Sequence, residues 1–266
     1  MSNIKKRIIY GSLYIASILI AAISTISMCI LLILIATLAT FEIKKIFQKQ
    51  KKNFNPLSTL IIGYSTFISI LKPEFISVLF LTILIYLIGL MYKNLKDPIV
   101  NASTLFFSVI YIFIPLSLII LIGNQSQVYE YKTVIGLFIL IWSSDSWAYA
   151  CGKLFGNQKL YELISPKKTW EGFIGAIFFT TFTGLLLSFL GFGLSPLEWG
   201  ILGMITAFFA TTGDLFQSML KRSSNIKDTG NILPGHGGIL DRIDSILFCF
   251  PVYYIYFYHF KPLIAY

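Results

Sequence analysis

Two polar segments, at about 151–170 and 218–243, interrupt an otherwise apolar chain and carry nearly all the residues that could perform chemistry. Both contain cations suited to phosphate, because Arg makes bidentate contacts and Lys acts as a point charge. These cations are Lys167, Lys168, Lys221, Arg222, Lys227 and Arg242. In the second segment Gly237 and Gly238 allow close approach of the backbone to a ligand. The combination is typical of a phosphate-binding site.

Carboxylates near these segments suit a metal ion. Asp241 and Asp244 stand three residues apart at an expected helix start, and this spacing places them on one helix face. Together with Asp214 they offer the hard oxygen ligands that Mg²⁺ prefers, with positions left for water and phosphate. The ensemble indicates metal-assisted phosphoryl or nucleotidyl transfer. Taken singly, the glycines are typical of turns and paired lysines of membrane anchors.

The elements that must position these residues are membrane helices. Of the 266 residues, 56% are hydrophobic and 12% are charged, and the mean hydropathy is +0.77. Soluble proteins carry roughly twice that charged fraction. The apolar residues form blocks of about 18 to 22, long enough to cross a bilayer as helix. We therefore predict an all-α fold, a polytopic transmembrane helical bundle, and exclude a soluble enzyme, a disordered chain and a disulfide scaffold.

About nine spans are expected from the apolar blocks, at 8–24, 26–43, 56–71, 75–92, 102–122, 133–150, 171–191, 198–217 and 244–260. Residues 8–41 are too long for one span, so a break is expected near Ser24. If the N-terminus is cytoplasmic, all but Lys72, Lys132 and Lys261 of the 21 basic residues lie on the cytoplasmic side. This positive-inside bias explains the net charge of +9 without a nucleic-acid partner.

The expected topology places the informative acids at the cytoplasmic ends of spans. Ionisable residues at membrane helices are costly and mark candidates for function. These acids are Asp145, Glu171, Asp214, Asp241 and Asp244. Glu42 is expected instead at an inner loop or helix end, where water solvates it. We divide the chain into residues 1–125, a lipid-embedded scaffold, and residues 126–266, a catalytic membrane domain.

The stretch from Ser218 to Asp244 resembles the signature of the phosphatidate cytidylyltransferases, also called CDP-diacylglycerol synthases. It matches S-x-L-K-R-x₄-K-D-x-G-x₂-L-P-x-H-G-G-I-x-D-R-I-D without a departure. Upstream runs that also match the family lie at 145–149, 165–172 and 213–216. The resemblance covers about residues 130–260, whereas the earlier part of the chain matches only in being hydrophobic.

The resemblance implies an activity and roles for residues. The activity is transfer of the cytidylyl group of CTP to phosphatidic acid, giving CDP-diacylglycerol and pyrophosphate, with Mg²⁺ and a second cation. The implied catalytic residues are Asp214, Asp241 and Asp244, which are also the metal ligands, together with Lys221 and Arg222. The implied substrate-binding residues are Lys167, Lys168, Lys227, Asp228, His236, Gly237, Gly238 and Arg242. Among these, His236 is expected to position groups rather than to catalyse.

The substrates imply a location. CTP is cytoplasmic and phosphatidate lies in the leaflet, so the active site is expected at the cytoplasmic face of a bacterial inner membrane. The resemblance also implies a homodimer. Two other functions stay open. A CTP-dependent polyprenol or phytol kinase would transfer the γ-phosphate, and the intact signature argues against it. An ion or phosphate transporter would place ionisable residues near mid-membrane, where several expected spans have none.

Overall fold

The computed structural model of the chain describes residues 3–92, 97–126, 129–230 and 237–264. The predicted all-α class is confirmed, because 81% of the structure is helical and the described residues contain almost no sheet. Within these ranges the α-helices are α1 (Asn3–Ala21), α2 (Thr25–Lys49), α3 (Pro56–Leu71), α4 (Ile76–Tyr92), α5 (Pro98–Ser108), α6 (Ile114–Gly123), α7 (Tyr131–Phe155), α8 (Trp170–Phe189), α9 (Pro196–Ser223), α10 (Leu240–Ile255) and α11 (Lys261–Ile264). Short connecting turns are a 3-10 turn at Pro73–Phe75 and π turns at Val109–Phe113 and Tyr256–Phe260.

Six helices of the described chain are long and apolar enough to cross a membrane, by length and composition. They are Thr25–Lys49, Pro73–Tyr92, Pro98–Gly123, Tyr131–Phe155, Trp170–Phe189 and Pro196–Ser223. Two shorter apolar helices are Ile9–Ala21 and Pro56–Leu71. All eight coincide with expected spans, and the expected span at 244–260 coincides with α10 and the π turn after it. The total of nine spans and the cytoplasmic N-terminus stay predictions.

The long apolar run near the N-terminus is divided into two helices, so the predicted break near Ser24 is confirmed. Ser24 has an extended backbone, with φ −140° and ψ 152°. Its side chain accepts a hydrogen bond from the Ser27 N–H at 3.2 Å. This contact satisfies one of the N–H groups that a helix start leaves without a partner. The cap therefore begins α2 as a helix distinct from α1.

The first polar segment contains an antiparallel β-hairpin, which the sequence did not lead us to expect. Strand β1 (Lys159–Tyr161) pairs with β2 (Ser165–Thr169). Strands this short lack the sustained alternation that identifies a strand in a sequence. Thr169 ends β2 and caps α8, because its side chain accepts the Gly172 N–H at 3.2 Å. The strand and the capped helix together fix the position of Lys168.

Helices α7 and α9 continue past the expected span ends at 150 and 217. A helix does not stop where its apolar stretch stops, because polar residues can extend it into water. Asp145 and Asp214 had been expected at the ends of helices. They lie inside them instead. Asp241 and Asp244 do lie in the first turns of α10, in agreement with the expected helix start.

Close packing of α8, α9 and α10 positions the polar end of the bundle. A Cβ on Gly203 of α9 would lie 2.7 Å from the carbonyl oxygen of Thr180 on α8. A Cβ on Gly213 would lie 2.6 Å from the carbonyl oxygen of Asp244 on α10. Small residues allow helix backbones in membrane bundles to approach in this way. Gly213 therefore holds Asp214, the next residue, against the start of α10.

The N-terminal helices pack against this bundle. Helices α2, α6 and α10 contact one another. One buried hydrophobic cluster contains side chains from all three, among them Met28, Ile119 and Ile246. The division into residues 1–125 and 126–266 stays a prediction, and the two parts share this cluster. Residues of the first part can therefore contribute directly to a site in the second.

Candidate active site

Asp241, in the first turn of α10, organises the second polar segment. Its Oδ1 lies 2.7 Å from Lys221 Nζ on α9. Its Oδ2 accepts hydrogen bonds from Gly238 N, Thr229 N and Thr229 Oγ1, each at 3.0 Å. The Asp241 side chain is only 6% exposed. A buried carboxylate that accepts several donors, one of them charged, holds the surrounding backbone in place.

Glu42 of α2 holds the start of α10 from another side. Its Oε1 accepts the Ile239 N–H and its Oε2 accepts the Leu240 N–H, both at 2.9 Å. The first N–H groups of a helix have no partner within the helix, and negative charge near them is favourable. Ile239 has no side chain that could cap α10. Glu42 supplies that cap from 197 residues earlier in the chain.

The expectation that water solvates Glu42 was wrong. Its side chain is completely buried. Burial of a carboxylate is costly unless it is hydrogen-bonded, and the two backbone N–H groups of α10 provide this compensation. Glu42 lies within α2, which continues to Lys49. The expected span ended at residue 43, so Glu42 had been placed at the inner end of that span, next to water.

Thr229 joins the two carboxylates. Its Oγ1 lies 2.9 Å from Glu42 Oε2 and 3.0 Å from Asp241 Oδ2. A hydroxyl carries one hydrogen, so the two acceptors share a single donor. Helix α2, the second polar segment and α10 thereby meet in one hydrogen-bond network. Displacement of Glu42 is expected to reach Asp241 through Thr229.

Lys168 connects the first polar segment to α9. Its Nζ lies 2.9 Å from Asp214 Oδ2 and donates to the carbonyl oxygen of Thr211 at 3.1 Å. Ser218 Oγ donates to the other Asp214 oxygen at 3.4 Å. The Asp214 side chain is 41% exposed and that of Lys168 is 22% exposed. Both charged groups are thus accessible to a ligand, in contrast to Asp241.

Three carboxylates, Asp145 on α7, Asp214 on α9 and Asp244 on α10, form an acidic group whose members influence one another electrostatically. Asp244 lies within electrostatic range of Asp214 and Asp145, and Asp145 lies within range of Asp214. Asp244 is buried, and its Oδ1 accepts the Ser245 N–H at 2.8 Å. Cations within range of this acidic group are Lys168, Lys221 and Arg242. Like charges gathered in this way repel one another unless cations compensate them.

No three His, Cys, Asp or Glu residues in the described ranges stand close enough together to hold a metal ion. Asp241, one of the expected ligands, already uses both carboxylate oxygens for donors of the protein. Asp214 and Asp244, the other two, interact electrostatically with Asp145, which was not among the expected ligands. Carboxylate oxygens are the ligand type that a hard divalent cation prefers, but the described acids do not form a complete three-residue site. The metal itself stays a prediction.

Gly237 and Gly238 allow the second segment to close around Asp241. Gly237 has a φ of +84°, and a Cβ there would lie 2.8 Å from Asp241 Oδ2. A Cβ on Gly238 would collide with the Glu42 carboxylate. The Gly238 N–H is directed at Asp241, so in this structure it supports that carboxylate. His236, which was expected to bind substrate, lies outside the described residues.

The remaining expected binding residues form an accessible rim. Those with exposed side chains are Lys167, Arg222, Lys227, Asp228 and Arg242. Lys221 differs from them, because its side chain is only 14% exposed and contacts Asp241. The expected set therefore divides into exposed residues that can meet a ligand, of which all but Asp228 are cations, and the buried Lys221–Asp241 pair, which fixes the segment.

Residues of the first half also reach the site, and sequence reasoning missed them. Tyr111, in the π turn between α5 and α6, donates from its Oη to Gln217 Oε1 at 2.9 Å. Its ring packs against Phe216, with the centroids 5.4 Å apart. Tyr14 of α1 donates to the carbonyl oxygen of Arg242 at 3.1 Å. Tyrosines carry little signal in this sequence, because 16% of its residues are aromatic.

A sequence signal for Glu42 does exist. Ile35, Ala39 and Ile46 are buried residues of α2, and Glu42 completes their 4-3-4 spacing. Residues with this spacing lie on one helix face, which here faces the core. An acid on such a face requires partners inside the protein. The spacing could therefore have identified Glu42 as a residue with a defined role.

Comparison with known proteins decides the family. The model described as "Cytidylyltransferase family" matches residues 5–260. The chain belongs to the cytidylyltransferase family. The family match reaches beyond the signature, so it includes Glu42 and Tyr111 as well as Asp241. The resemblance read from the signature is thereby confirmed.

Curated relatives within the family carry the name phosphatidate cytidylyltransferase. The relative from Staphylococcus aureus (strain COL) is 44% identical over 122 residues, which are 45% of this chain and 46% of that protein. The relative from Bacillus subtilis (strain 168) is 47% identical over 119 residues, 44% of each chain. The relative from Haemophilus influenzae is 41% identical over 133 residues, 47% of this chain and 44% of that protein. The chain thus spans about half the length of the curated relatives it matches.

Proposed function

We propose that the chain transfers the cytidylyl group of CTP to phosphatidic acid, giving CDP-diacylglycerol and pyrophosphate for phospholipid synthesis. Family membership and the name of its relatives support this proposal. The observation that carries it is the convergence of two cation-rich segments on one acidic group. Lys168 of the first segment pairs with Asp214, and Lys221 of the second pairs with Asp241 and lies within electrostatic range of Asp244.

The chemistry of the reaction suits these residues. A phosphate oxygen of phosphatidate attacks the α-phosphorus of CTP, and the bond to the β-phosphate oxygen breaks as pyrophosphate leaves. Both reactants are anionic, so cations must reduce their repulsion and stabilise the charge on the leaving group. A phosphate monoester, with a second pKa of about 6, is already ionised near neutral pH. The attacking oxygen therefore needs no general base.

We assign the exposed cations to the phosphates of the two substrates. Lys167, Arg222, Lys227 and Arg242 bind the triphosphate and the lipid phosphate. Lys168 is close enough to Asp214 to orient it and exposed enough to contact a substrate phosphate. Lys221 positions Asp241 and through it the start of α10. This division follows the exposure of the side chains in the structure.

We assign a divalent cation, Mg²⁺ with a second cation beside it, to the acidic group. Asp214 and Asp244 are its expected ligands, and the electrostatic interaction of Asp145 with both supports an effect of Asp145 on the cation from outside its ligand set. Such a cation would neutralise charge on the phosphates. Asp241 was also expected as a ligand. Because protein donors occupy both of its carboxylate oxygens, we assign it the role of holding the second polar segment together.

We place the site at the cytoplasmic face of a bacterial inner membrane. The positive-inside distribution of Lys and Arg supports that orientation, and the relatives from bacteria support the source. CTP then reaches the site from water, and phosphatidate reaches it laterally from the bilayer. A homodimer is part of the proposal through the family resemblance alone.

The position of a radioactive label tests the proposed reaction. Purified protein in detergent is given phosphatidic acid, Mg²⁺ and CTP labelled at either the α- or the γ-phosphate. We expect α-label in the lipid fraction and γ-label in water as pyrophosphate. If γ-label instead enters an added polyprenol while α-label stays in water, the chain is a kinase. If folded protein transfers neither label, the proposed transferase activity is wrong.

A further inference from the structure

A cavity of about 370 Å³ lies between α3, α4 and α5, outside the candidate active site. Its volume falls within the roughly 300–1,000 Å³ typical of small-molecule sites. None of the described residues that line it belongs to the acidic group or the two cation-rich segments. The proposed reaction leaves this cavity without a role.

The lining of the cavity changes from polar to apolar. The polar end contains Asn53, Asn55, Ser58 and Asn101. These residues lie near the start of α3 and the start of α5, next to the lysine-rich end of α2. The walls contain isoleucines of α3 and α4. A polar end joined to an apolar channel matches the two-part chemistry of a membrane lipid.

The polar end has a fixed structure. Asn55 caps α3, because its Oδ1 accepts the Leu57 and Ser58 N–H groups at 3.0 and 3.4 Å. Thr104 Oγ1 of α5 donates to the carbonyl oxygen of Asn53 at 3.3 Å. These bonds hold the polar end in place before a ligand binds. Preorganisation of this kind reduces the entropic cost of binding.

Asn101 has an unused hydrogen-bond donor. Its side chain is 7% exposed, and its Nδ2 has no hydrogen-bond partner within the described part of the chain. A buried amide without a partner is costly, and each such group in a native structure requires an explanation. Asn101 lines the cavity, and rotation of its terminal amide presents either nitrogen or oxygen to an occupant. A ligand with carbonyl oxygens, such as a glycerol ester, would satisfy this donor.

The cavity is open to the bilayer. Ile61 of α3 and Ile85 of α4 both line it, and they are 52% and 60% exposed. No residue of α4 is buried, so this helix presents its surface to lipid. A lipid acyl chain can enter sideways between α3 and α4 without leaving the membrane. A water-soluble ligand would have to enter across an apolar surface.

Two lysines lie next to the polar end of the cavity. Lys51 and Lys52 are exposed and immediately precede Asn53. Lysines near a membrane surface attract the phosphates of anionic lipids. None of the lining residues in the described ranges has a charged side chain, so within those ranges Lys51 and Lys52 supply the charge at the polar end.

We propose that this cavity binds an anionic glycerophospholipid, with one acyl chain between α3 and α4, its ester carbonyl at Asn101 and its phosphate at Lys51 and Lys52. The site is separate from the proposed active site and does not depend on the proposed reaction. A lipid bound there would contact α3, α4 and α5 at the membrane surface that also supplies the substrate lipid.

Photolabelling tests this site without any enzymatic turnover. The full chain is reconstituted in vesicles that contain a trace of phosphatidylglycerol with a diazirine in one acyl chain. After illumination, labelled peptides are identified by mass spectrometry. We expect saturable label on residues 58–62 and 82–90. Unlabelled phosphatidylglycerol should compete about tenfold better than phosphatidylcholine with the same chains.

Matched variants of α4 give a second readout. A Cβ on Gly89, which lines the cavity, meets no atom of the described residues within 4 Å, so Gly89→Phe places its ring in the cavity without a collision at Cβ. It should reduce the saturable label about tenfold, whereas Ile88→Phe, on the 51% exposed lipid side, should leave it unchanged. Label that does not saturate in the wild-type chain would mean ordinary annular lipid and would overturn the proposal. Equal label in wild type and folded Gly89→Phe, or equal competition by both lipids, would also overturn it.

Discussion

Replacement of Glu42 by glutamine isolates the contribution of the first half of the chain to the site. Glu42 accepts the Ile239 and Leu240 N–H groups and the Thr229 hydroxyl, each at 2.9 Å. Glu42→Gln keeps the size and one acceptor oxygen of the side chain. The NH₂ group of the glutamine then replaces one carboxylate oxygen and faces the Ile239 or the Leu240 N–H, which had donated to that oxygen. The substitution therefore removes charge and one hydrogen bond and leaves the packing intact.

The expected magnitude follows from these contacts. A hydrogen bond to a charged group contributes about 1.5–3 kcal/mol. Loss of the negative charge at the start of α10 adds about 0.3–1 kcal/mol. The total of about 2–4 kcal/mol would make local opening of the α10 start roughly 30- to 700-fold more frequent. Because Thr229 also contacts Asp241, the rate of cytidylyl transfer should fall together with this local stability.

Hydrogen–deuterium exchange measures the opening directly. Peptides that cover residues 237–245 are followed by mass spectrometry in detergent, without substrates. The Ile239 and Leu240 amides should exchange faster in Glu42→Gln by the factor given above. Lys45→Gln is the matched control, because Lys45 is an exposed residue of the same helix. Unchanged exchange at residues 239 and 240 in Glu42→Gln would refute the capping role.

Three further substitutions test the site. Lys168→Met should lower the transfer rate about 10²–10³-fold, with little change in unfolding temperature, because a partly exposed ion pair contributes at most about 1 kcal/mol. Lys159→Met, on the same hairpin, is its control. Gly213→Ala should lower the free energy of unfolding by about 1–3 kcal/mol, because its Cβ would meet the α10 backbone at 2.6 Å. Gly200→Ala, where the Cβ contact is 3.6 Å, should be tolerated. Asp145→Asn should raise the Mg²⁺ concentration for half-maximal rate about tenfold or more.

Each of these expectations has an outcome that contradicts it. If Lys168→Met lowers the unfolding temperature and the rate in parallel, the lysine is structural and not a substrate contact. If Gly213→Ala is as stable as Gly200→Ala, α9 and α10 are not in backbone contact. If Asp145→Asn and the exposed control Asp97→Asn require the same Mg²⁺ concentration, Asp145 does not act on the cation.

The sequence was sufficient to predict the helices and to identify most residues of the two cation-rich segments. Apolar blocks of membrane length predict helices because the bilayer requires their backbone to be hydrogen-bonded internally. Eight expected spans therefore coincide with apolar helices of the structure. The break at Ser24 was predictable for a related reason, because an apolar run of that length exceeds one span. These features depend on local composition, which a single sequence contains.

The arrangement within the site was less predictable, because it depends on contacts between distant residues. The spacing of Asp241 and Asp244 placed both on one helix face. The spacing did not show that Asp241 forms an ion pair with Lys221, or that Asp244 interacts electrostatically with Asp145 and Asp214. These contacts are set by how α7, α9 and α10 pack, and the sequence alone does not specify that packing.

Glu42 shows the same limit more sharply. It was assigned to water because it lies at the inner end of an expected span. The structure buries it, because α2 continues to Lys49 and packs against α10. Its spacing with Ala39 and Ile46 predicts a buried face, but the partner at the start of α10 could not be read from spacing.

The most direct test of the account is the initial rate at which α-labelled CTP labels phosphatidate. The assay compares the wild-type chain with Asp241→Asn and with Glu162→Gln, an exposed acid in the turn of the hairpin. The account predicts label in lipid for wild type and Glu162→Gln, and a loss of about 10²-fold or more for Asp241→Asn. Label at the wild-type rate in Asp241→Asn would contradict the proposed organisation of the site. An absence of lipid label with folded wild-type protein would contradict the proposed function itself.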